Sequence, residues 1–267
     1  MLSNINKIGF IGCGKMGGAI ISGVLKTGFN KLIGVEATTE IAQKASTNLG
    51  LEVTTDLKKA VTDSDIIFIA LKPQYVLETL TSVKDILNSG SKLIVSVAAG
   101  VTTSKIEAIL TNAPVIRAMP NTPALIGEGV FGIAKGTKAT REQIELIKQL
   151  LSTIGECIEI DESKIDIVTA LSGSGPAFFY KVINEMAKGA VELGLDYEKA
   201  LKLSLKTAIG SAKMIEQSTL PVEQLISNVA TKGGCTAVGV DYMNEINTEK
   251  IFAELIKVTT EKAASLG

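Results

Sequence analysis

A chain of 267 residues can hold two domains, each with its own core, and this one is 46% apolar and 21% charged with a formal net charge of −1. That balance gives no drive toward phosphate backbones, so nucleic acid is not an expected partner, and no apolar run approaches the roughly 18 residues that a membrane span needs. There is no histidine, which excludes Ser-His-Asp and Cys-His triads, histidine general bases and nearly all catalytic zinc sites, so no metal is expected.

In chain order, short apolar runs at Lys7–Gly12, Lys31–Glu36, Asp65–Leu71 and Lys92–Val97 read as strands, and Ile41–Leu49 and Tyr75–Leu87 between them read as helices. Unbroken apolar strands alternating with helices predict a mostly parallel sheet covered on both faces. Further strands are expected at Pro114–Met119, Val130–Ala134 and Cys157–Ile160. A helix over about Thr140–Ile154 is opened by Thr140 with Gln143 three residues on, the pattern of a capping box. The N-terminal apolar stretch is broken by Gly12, Gly14, Lys15, Gly17 and Gly18, so it is not expected to be a signal peptide. Cys13, Cys157 and Cys235 have neither metal-like nor disulfide-like spacing, which points to a reducing cytoplasm.

The first strand runs into Gly12-Cys13-Gly14-Lys15-Met16-Gly17, a GxGxxG that opens a helix. Gly12 makes the turn, Gly14 lets backbone approach a pyrophosphate, and Gly17 lets helix and strand pack closely, with the helix N-terminus facing the phosphates. A strand before, a helix after and a strand beyond make this a dinucleotide-binding fingerprint rather than a structural turn. Glu36, ending the second strand, stands where an acid would hold a ribose 2′-hydroxyl of NADH. Thr38 and Thr39 are small hydroxyl donors suited to the 2′-phosphate of NADPH, and Glu36 reads equally as a solvent-facing residue, so the choice stays open. Ligands of such sheets lie off the carboxyl ends of the strands. Ala70, Lys72 and Pro73 in "ALKPQ" end one strand there, with Lys72 a positive charge near an anion or else an ordinary surface lysine. Ala98, Ala99 and Gly100 end the next with side chains small enough for a flat ring. Asn121, in the stiff "MPNTPA" loop, is placed to hydrogen-bond into the site.

After about Lys164 the strands stop. Ile165–Leu171, Pro176–Leu193, Tyr197–Gln217, Val222–Val229, Ala237–Ile246 and Glu249–Ala264 all read helical. The expected architecture is therefore α/β, an N-terminal Rossmann-like, doubly wound, mostly parallel sheet over residues 1–163 followed by an all-α domain over residues 164–267. Several of these helices are apolar on more than one face, for instance at Leu201, Leu203, Leu205, Ala208 and Ile209. So many apolar faces predict a homodimer through the helical domain, or a higher oligomer built of dimers. Two further small-residue stretches sit at helix mouths. "LSGSGP" (Leu171–Pro176) would let a helix approach the cofactor. "TKGGCT" (Thr231–Thr236) brings the N–H groups of Gly233, Gly234, Cys235 and Thr236 to one helix start. That is an anion site, or equally a plain helix start with glycines for tight packing.

"GFIGCGKMG", "ALKPQ", "SVAAGVT", "RAMPNTPA", "LSGSGPAF" and "TKGGCT", in this order and spanning nearly the whole chain, resemble the pyrroline-5-carboxylate reductase family. The resemblance implies reduction of a cyclic imine, 1-pyrroline-5-carboxylate, to L-proline with NADPH or NADH. It implies that Thr231, Gly233, Gly234, Cys235 and Thr236 hold the substrate carboxylate, that the Thr236 hydroxyl faces the ring nitrogen as the catalytic side chain, and that a partner subunit's helices complete the site. The family pattern in this loop is SPGG, a small residue and threonine. Here Thr231 keeps the hydroxyl, Lys232 replaces the proline, and Cys235 brings a thiol. The absence of histidine suits such a reaction, because an imine takes its proton from solvent and needs no strong acid beside it. Two other readings compete. In a β-hydroxyacid dehydrogenase Lys181 would be catalytic, though Asn184 follows it by three residues where that family spaces the pair by four. A non-catalytic NAD(P)-sensing protein would not need the second anion loop.

Overall fold

The computed structural model describes residues 5–89 and 92–266. Eight strands form one sheet: β1 (Ile8–Ile11), β2 (Leu32–Val35), β3 (Val53–Thr54), β4 (Ile66–Ile69), β5 (Leu93–Ser96), β6 (Val115–Met119), β7 (Gly129–Lys135) and β8 (Gly155–Glu159). Their order is β3-β2-β1-β4-β5-β6-β7-β8, parallel from β3 to β6. β7 then runs antiparallel to β6, and β8 parallel to β7. The strand order reverses between β1 and β4, where Ile8 pairs with both Leu32 and Ile66, and this crevice is where such sheets bind ligands.

The helices of this part are α1 (Lys15–Lys26), α2 (Thr39–Leu49), α3 (Leu57–Asp63), α4 (Pro73–Ser82), α5 (Lys84–Asn88), α6 (Thr103–Ile109) and α7 (Arg141–Leu151). β1, β2 and β4 are apolar throughout because both faces are covered. Ile8, Phe10, Phe68 and Val95 bury on one side with Ile20, Ile21 and Ile147, and Ile11, Ile67, Ile69 and Ile94 on the other with Val76, Leu80 and Ile106. Phe10 and Phe68 stack across adjacent strands with centroids 5.0 Å apart. The expected helix over Tyr75–Leu87 is two helices, α4 and α5, broken at Val83.

The capping box opening α7 is formed. Thr140 Oγ1 accepts the Gln143 N–H at 3.3 Å, and Gln143 Oε1 accepts the Thr140 N–H at 3.0 Å. Thr140→Ala is expected to lower the unfolding free energy by about 0.5–2 kcal/mol, read as an earlier denaturation midpoint, and an unmoved midpoint would show that the cap adds nothing.

The chain divides into two compact units. The first runs to Ser174 and takes in the residues from Thr259 onward, and the second is Gly175–Val258. After β8 the first unit continues through α8 (Ile165–Val168) and a wide π-helical turn, Thr169–Gly173. The remaining helices are α9 (Gly175–Glu192), α10 (Tyr197–Gln217), α11 (Val222–Val229), α12 (Cys235–Glu245) and α13 (Thr248–Ala264). Large apolar side chains stay exposed on them, among them Phe179 at 68% and Leu193 at 92%.

Candidate active site

β1 ends in Gly12, whose φ of +94° lies in the left-handed region that favours glycine. A Cβ there would stand 2.6 Å from the Ala70 carbonyl oxygen, and one on Gly17 would collide with the Gly12 carbonyl oxygen. Both glycines are therefore required by the protein's own packing. Gly14 is different. It caps α1 with φ −67°, no side chain caps that helix, and a Cβ on it would meet nothing within 4 Å. An open space before an uncapped helix start is the cradle a pyrophosphate needs, so the residues fit a dinucleotide. Lys15 is exposed at the first position of α1, and Met16 packs on the core.

Glu36, which follows β2, turns toward this loop instead of solvent: its Oε1 accepts the Cys13 N–H at 2.6 Å. The Cys13 thiol is buried against Gly34, where an added Cβ would lie 2.5 Å from Sγ. Burial, and then the Glu36 charge, push its pKa up to about 12, so it stays a neutral thiol. Beside Glu36 lies a cavity of about 230 Å³ with Ile11, Ala37, Leu57 and Leu71 among its walls. Thr38 caps α2, its Oγ1 accepting the Ile41 N–H at 3.3 Å, while Thr39 is exposed in the first turn.

The adjoining strand ends gather around the same crevice. The Ala70 N–H donates to the Ile11 carbonyl at 2.8 Å, which sets the end of β4 against the glycine turn. Lys72 is the exposed N-cap of α4, with Pro73 at its first position. Beyond β5, Ala98 is buried and Gly100 turns with φ +72°, with half-buried Ala99 between them. Asn121 is tied to its neighbouring strand. Its Oδ1 accepts the Val130 N–H at 3.0 Å, so the side-chain carbonyl ties its loop to β7. Leu171–Ser174 of the "LSGSG" stretch lie on this same unit. A Cβ on Gly173 would meet Met119 Cε at 3.1 Å and the Pro120 carbonyl at 3.8 Å, which places the π-helical turn on the end of β6.

Arg117 on β6 has a role that reading the chain missed. It is 1% exposed and pairs with Glu162 at 3.7 Å and Asp166 at 3.5 Å. Glu162 in turn accepts the N–H of Thr103 at 2.6 Å and its hydroxyl. The Arg117 Nε has no hydrogen-bond partner among the described residues. An arginine inside an otherwise apolar strand was the available signal. The network pins residues 162–166, and with them the entry to the π-helical turn, to the sheet.

In the second unit, Thr231–Gly234 form a tight turn into α12. Gly233 has φ +80°, Gly234 is the N-cap, and the Gly234 N–H donates to the Thr231 carbonyl at 2.9 Å. One of the four N–H groups expected for an anion is thus already committed within the turn. Cys235 and Thr236 belong to the first turn of α12, where their N–H groups have no intrahelical acceptor. Cys235 is exposed and Thr236 half-buried. Lys181 is an exposed residue of α9 paired with Glu185 at 2.9 Å, and Asn184 Oδ1 accepts the Tyr197 hydroxyl at 2.9 Å. Both are thus engaged in local helix contacts.

A doubly wound sheet with an open glycine cradle at its switch point defines a dinucleotide-binding oxidoreductase. Residues 7–100 match the family model described as NADP oxidoreductase coenzyme F420-dependent, and residues 162–266 match that of pyrroline-5-carboxylate reductase dimerisation. The pyrroline-5-carboxylate reductase of Methanosarcina acetivorans is 38% identical over 98% of both chains. Among solved structures, that of the Coxiella burnetii pyrroline-5-carboxylate reductase aligns with a TM-score of 0.91 at 29% identity over 98% of both chains. The Plasmodium falciparum pyrroline carboxylate reductase with NADP bound aligns at 0.87 and 30% identity, over 99% of this chain and 98% of that one. The chain belongs to the pyrroline-5-carboxylate reductase family.

Proposed function

We propose that the protein reduces 1-pyrroline-5-carboxylate to L-proline, the last step of proline biosynthesis, with NADPH or NADH as donor and no metal. The observation that carries the reading is the start of α12. There a left-handed Gly233 and a glycine cap lead into a helix start at which the N–H groups of Cys235 and Thr236 have no intrahelical acceptor. A carboxylate suits that concentration of donors. Charge-assisted hydrogen bonds are worth roughly 1.5–3 kcal/mol each, and the helix dipole adds roughly 0.3–1 kcal/mol.

When bound, the reduced nicotinamide supplies the hydride that the C=N carbon accepts. The ring nitrogen takes its proton from solvent beforehand, so the protein's task is alignment rather than acid catalysis. Gly14 and the start of α1 hold the pyrophosphate, Lys72 offers a positive charge beside it, and Ala98, Ala99 and Gly100 leave room for a flat ring. The Thr236 hydroxyl orients the imine nitrogen. The exposed apolar side chains of α9–α13 and the dimerisation-family match support a homodimer through the helical domain, or a higher oligomer built of dimers. Among the described residues no helix is long and apolar enough to cross a membrane. The unpaired cysteines support a reducing, cytoplasmic setting. The exposed pairing of Lys181 with Glu185 argues against a hydroxyacid dehydrogenase, whose lysine would face substrate.

The test is oxidation of reduced cofactor by pyrroline-5-carboxylate. Turnover is expected; folded protein that consumes no imine but oxidises a hydroxyacid would replace this reading. A bulky thiol reagent gives a second check. Cys235 is exposed, whereas burial pushes the Cys13 and Cys157 thiols up to about 12. The reagent is expected to inhibit by modifying Cys235, and proline to protect. Inhibition that persists in Cys235→Ser would detach the thiol from the substrate loop.

A further inference from the structure

We propose that Glu36 makes the cofactor site of this chain selective for NADH over NADPH, an inference that rests on reading Gly12–Gly17 as the pyrophosphate loop. In a doubly wound sheet an acid at the end of the second strand accepts from the ribose 2′-hydroxyl, whereas a 2′-phosphate is accommodated by a nearby arginine. Here the acid is not a loose surface charge. Glu36 Oε1 is held by the Cys13 N–H at 2.6 Å, which fixes the carboxylate beside the glycine loop. Oε2 has no partner among the described residues and remains an acceptor. The carboxylate is the one ionisable group lining a cavity of about 230 Å³ with otherwise apolar and threonine walls. A 2′-phosphate entering there would set a second anion against the first, in surroundings that screen it less than water does.

The guanidinium groups that offset such a charge elsewhere are committed in this chain. Its arginines are Arg117 and Arg141. Arg117 is buried on β6 with Glu162 and Asp166, and Arg141 on α7 pairs with Glu145 and Glu159. Lys59, on α3, is taken by Glu52 at 3.0 Å. Thr38 Oγ1 accepts the Ile41 N–H, and the hydroxyl protons left to Thr38 and to exposed Thr39 bring no positive charge. Fixed negative charge with no guanidinium to answer it selects the hydroxyl over the phosphate.

The experiment is equilibrium titration of cofactor-free protein with NADH and with NADPH, read by nicotinamide fluorescence and so independent of imine turnover. The wild-type chain is expected to bind NADH at least about tenfold more tightly. Glu36→Gln keeps an acceptor for the Cys13 N–H and removes the charge, so it is expected to tighten NADPH and bring the two constants within about threefold. Equal or tighter NADPH binding by the wild-type chain overturns the proposal without reference to any variant, and so does an unchanged ratio in folded Glu36→Gln. Absence of binding by either dinucleotide overturns it together with the pyrophosphate loop. Selective NADH binding with no imine consumed upholds it and fails the reductase reading instead.

Discussion

Gly14→Val is expected to abolish cofactor binding while leaving the fold intact. Nothing in the protein needs a glycine there. The φ of −67° suits any residue, and a side chain would project into open space. The valine would occupy the approach of the pyrophosphate to the first N–H groups of α1. Losing one or two charge-assisted hydrogen bonds, at about 1.5–3 kcal/mol each, weakens binding by roughly a hundredfold or more. Fluorescence titration and thermal unfolding of the same sample separate the two effects. Gly17→Ala is the contrasting control. Its methyl meets the Gly12 carbonyl oxygen, so it is expected to lower the melting temperature, with binding lost only as a consequence of a disturbed loop. Near-normal titration of Gly14→Val would reduce the glycine loop to a structural turn.

The difference between these glycines also shows what a chain can and cannot disclose. The pattern GxGxxG marks all three positions alike, and only the neighbours distinguish a glycine demanded by packing from one left for a ligand. β1, β2 and β4 were legible because burial on both faces leaves no polar position in them. β3 was not, since two residues carry no period. The break between α4 and α5 was hidden because Val76, Leu80, Val83 and Leu87 keep helical spacing across it and are all buried. Contacts between distant residues stayed out of reach. The bond from Cys13 to Glu36 spans 23 positions and that from Arg117 to Asp166 spans 49. Glu36 could be marked as a charge at a strand end, but not as a charge held in place. The Asn121 carbonyl is a further case: its bond to the Val130 N–H on β7 has no mark in the loop's own sequence.

Thr236→Ala is expected to cut turnover at least tenfold with cofactor binding unchanged. The hydroxyl lies in the first turn of α12 on a β-branched side chain, whose rotamer choice in a helix is narrow. An oxygen held this way can orient an iminium nitrogen without the entropy cost of a longer side chain. One hydrogen bond to a charged group is worth about 1.5–3 kcal/mol, or roughly ten- to a hundredfold in rate if it is made chiefly at the transition state. The loss should fall on kcat more than on KM, because the carboxylate contacts of the loop are backbone N–H groups that alanine retains. Thr236→Ser restores the oxygen and is expected to recover most of the rate, which a purely structural role for the methyl group would not predict. Unchanged kinetics in Thr236→Ala would remove this side chain from the reaction. A rise in KM alone would make it a carboxylate contact and leave orientation of the nitrogen to some other group.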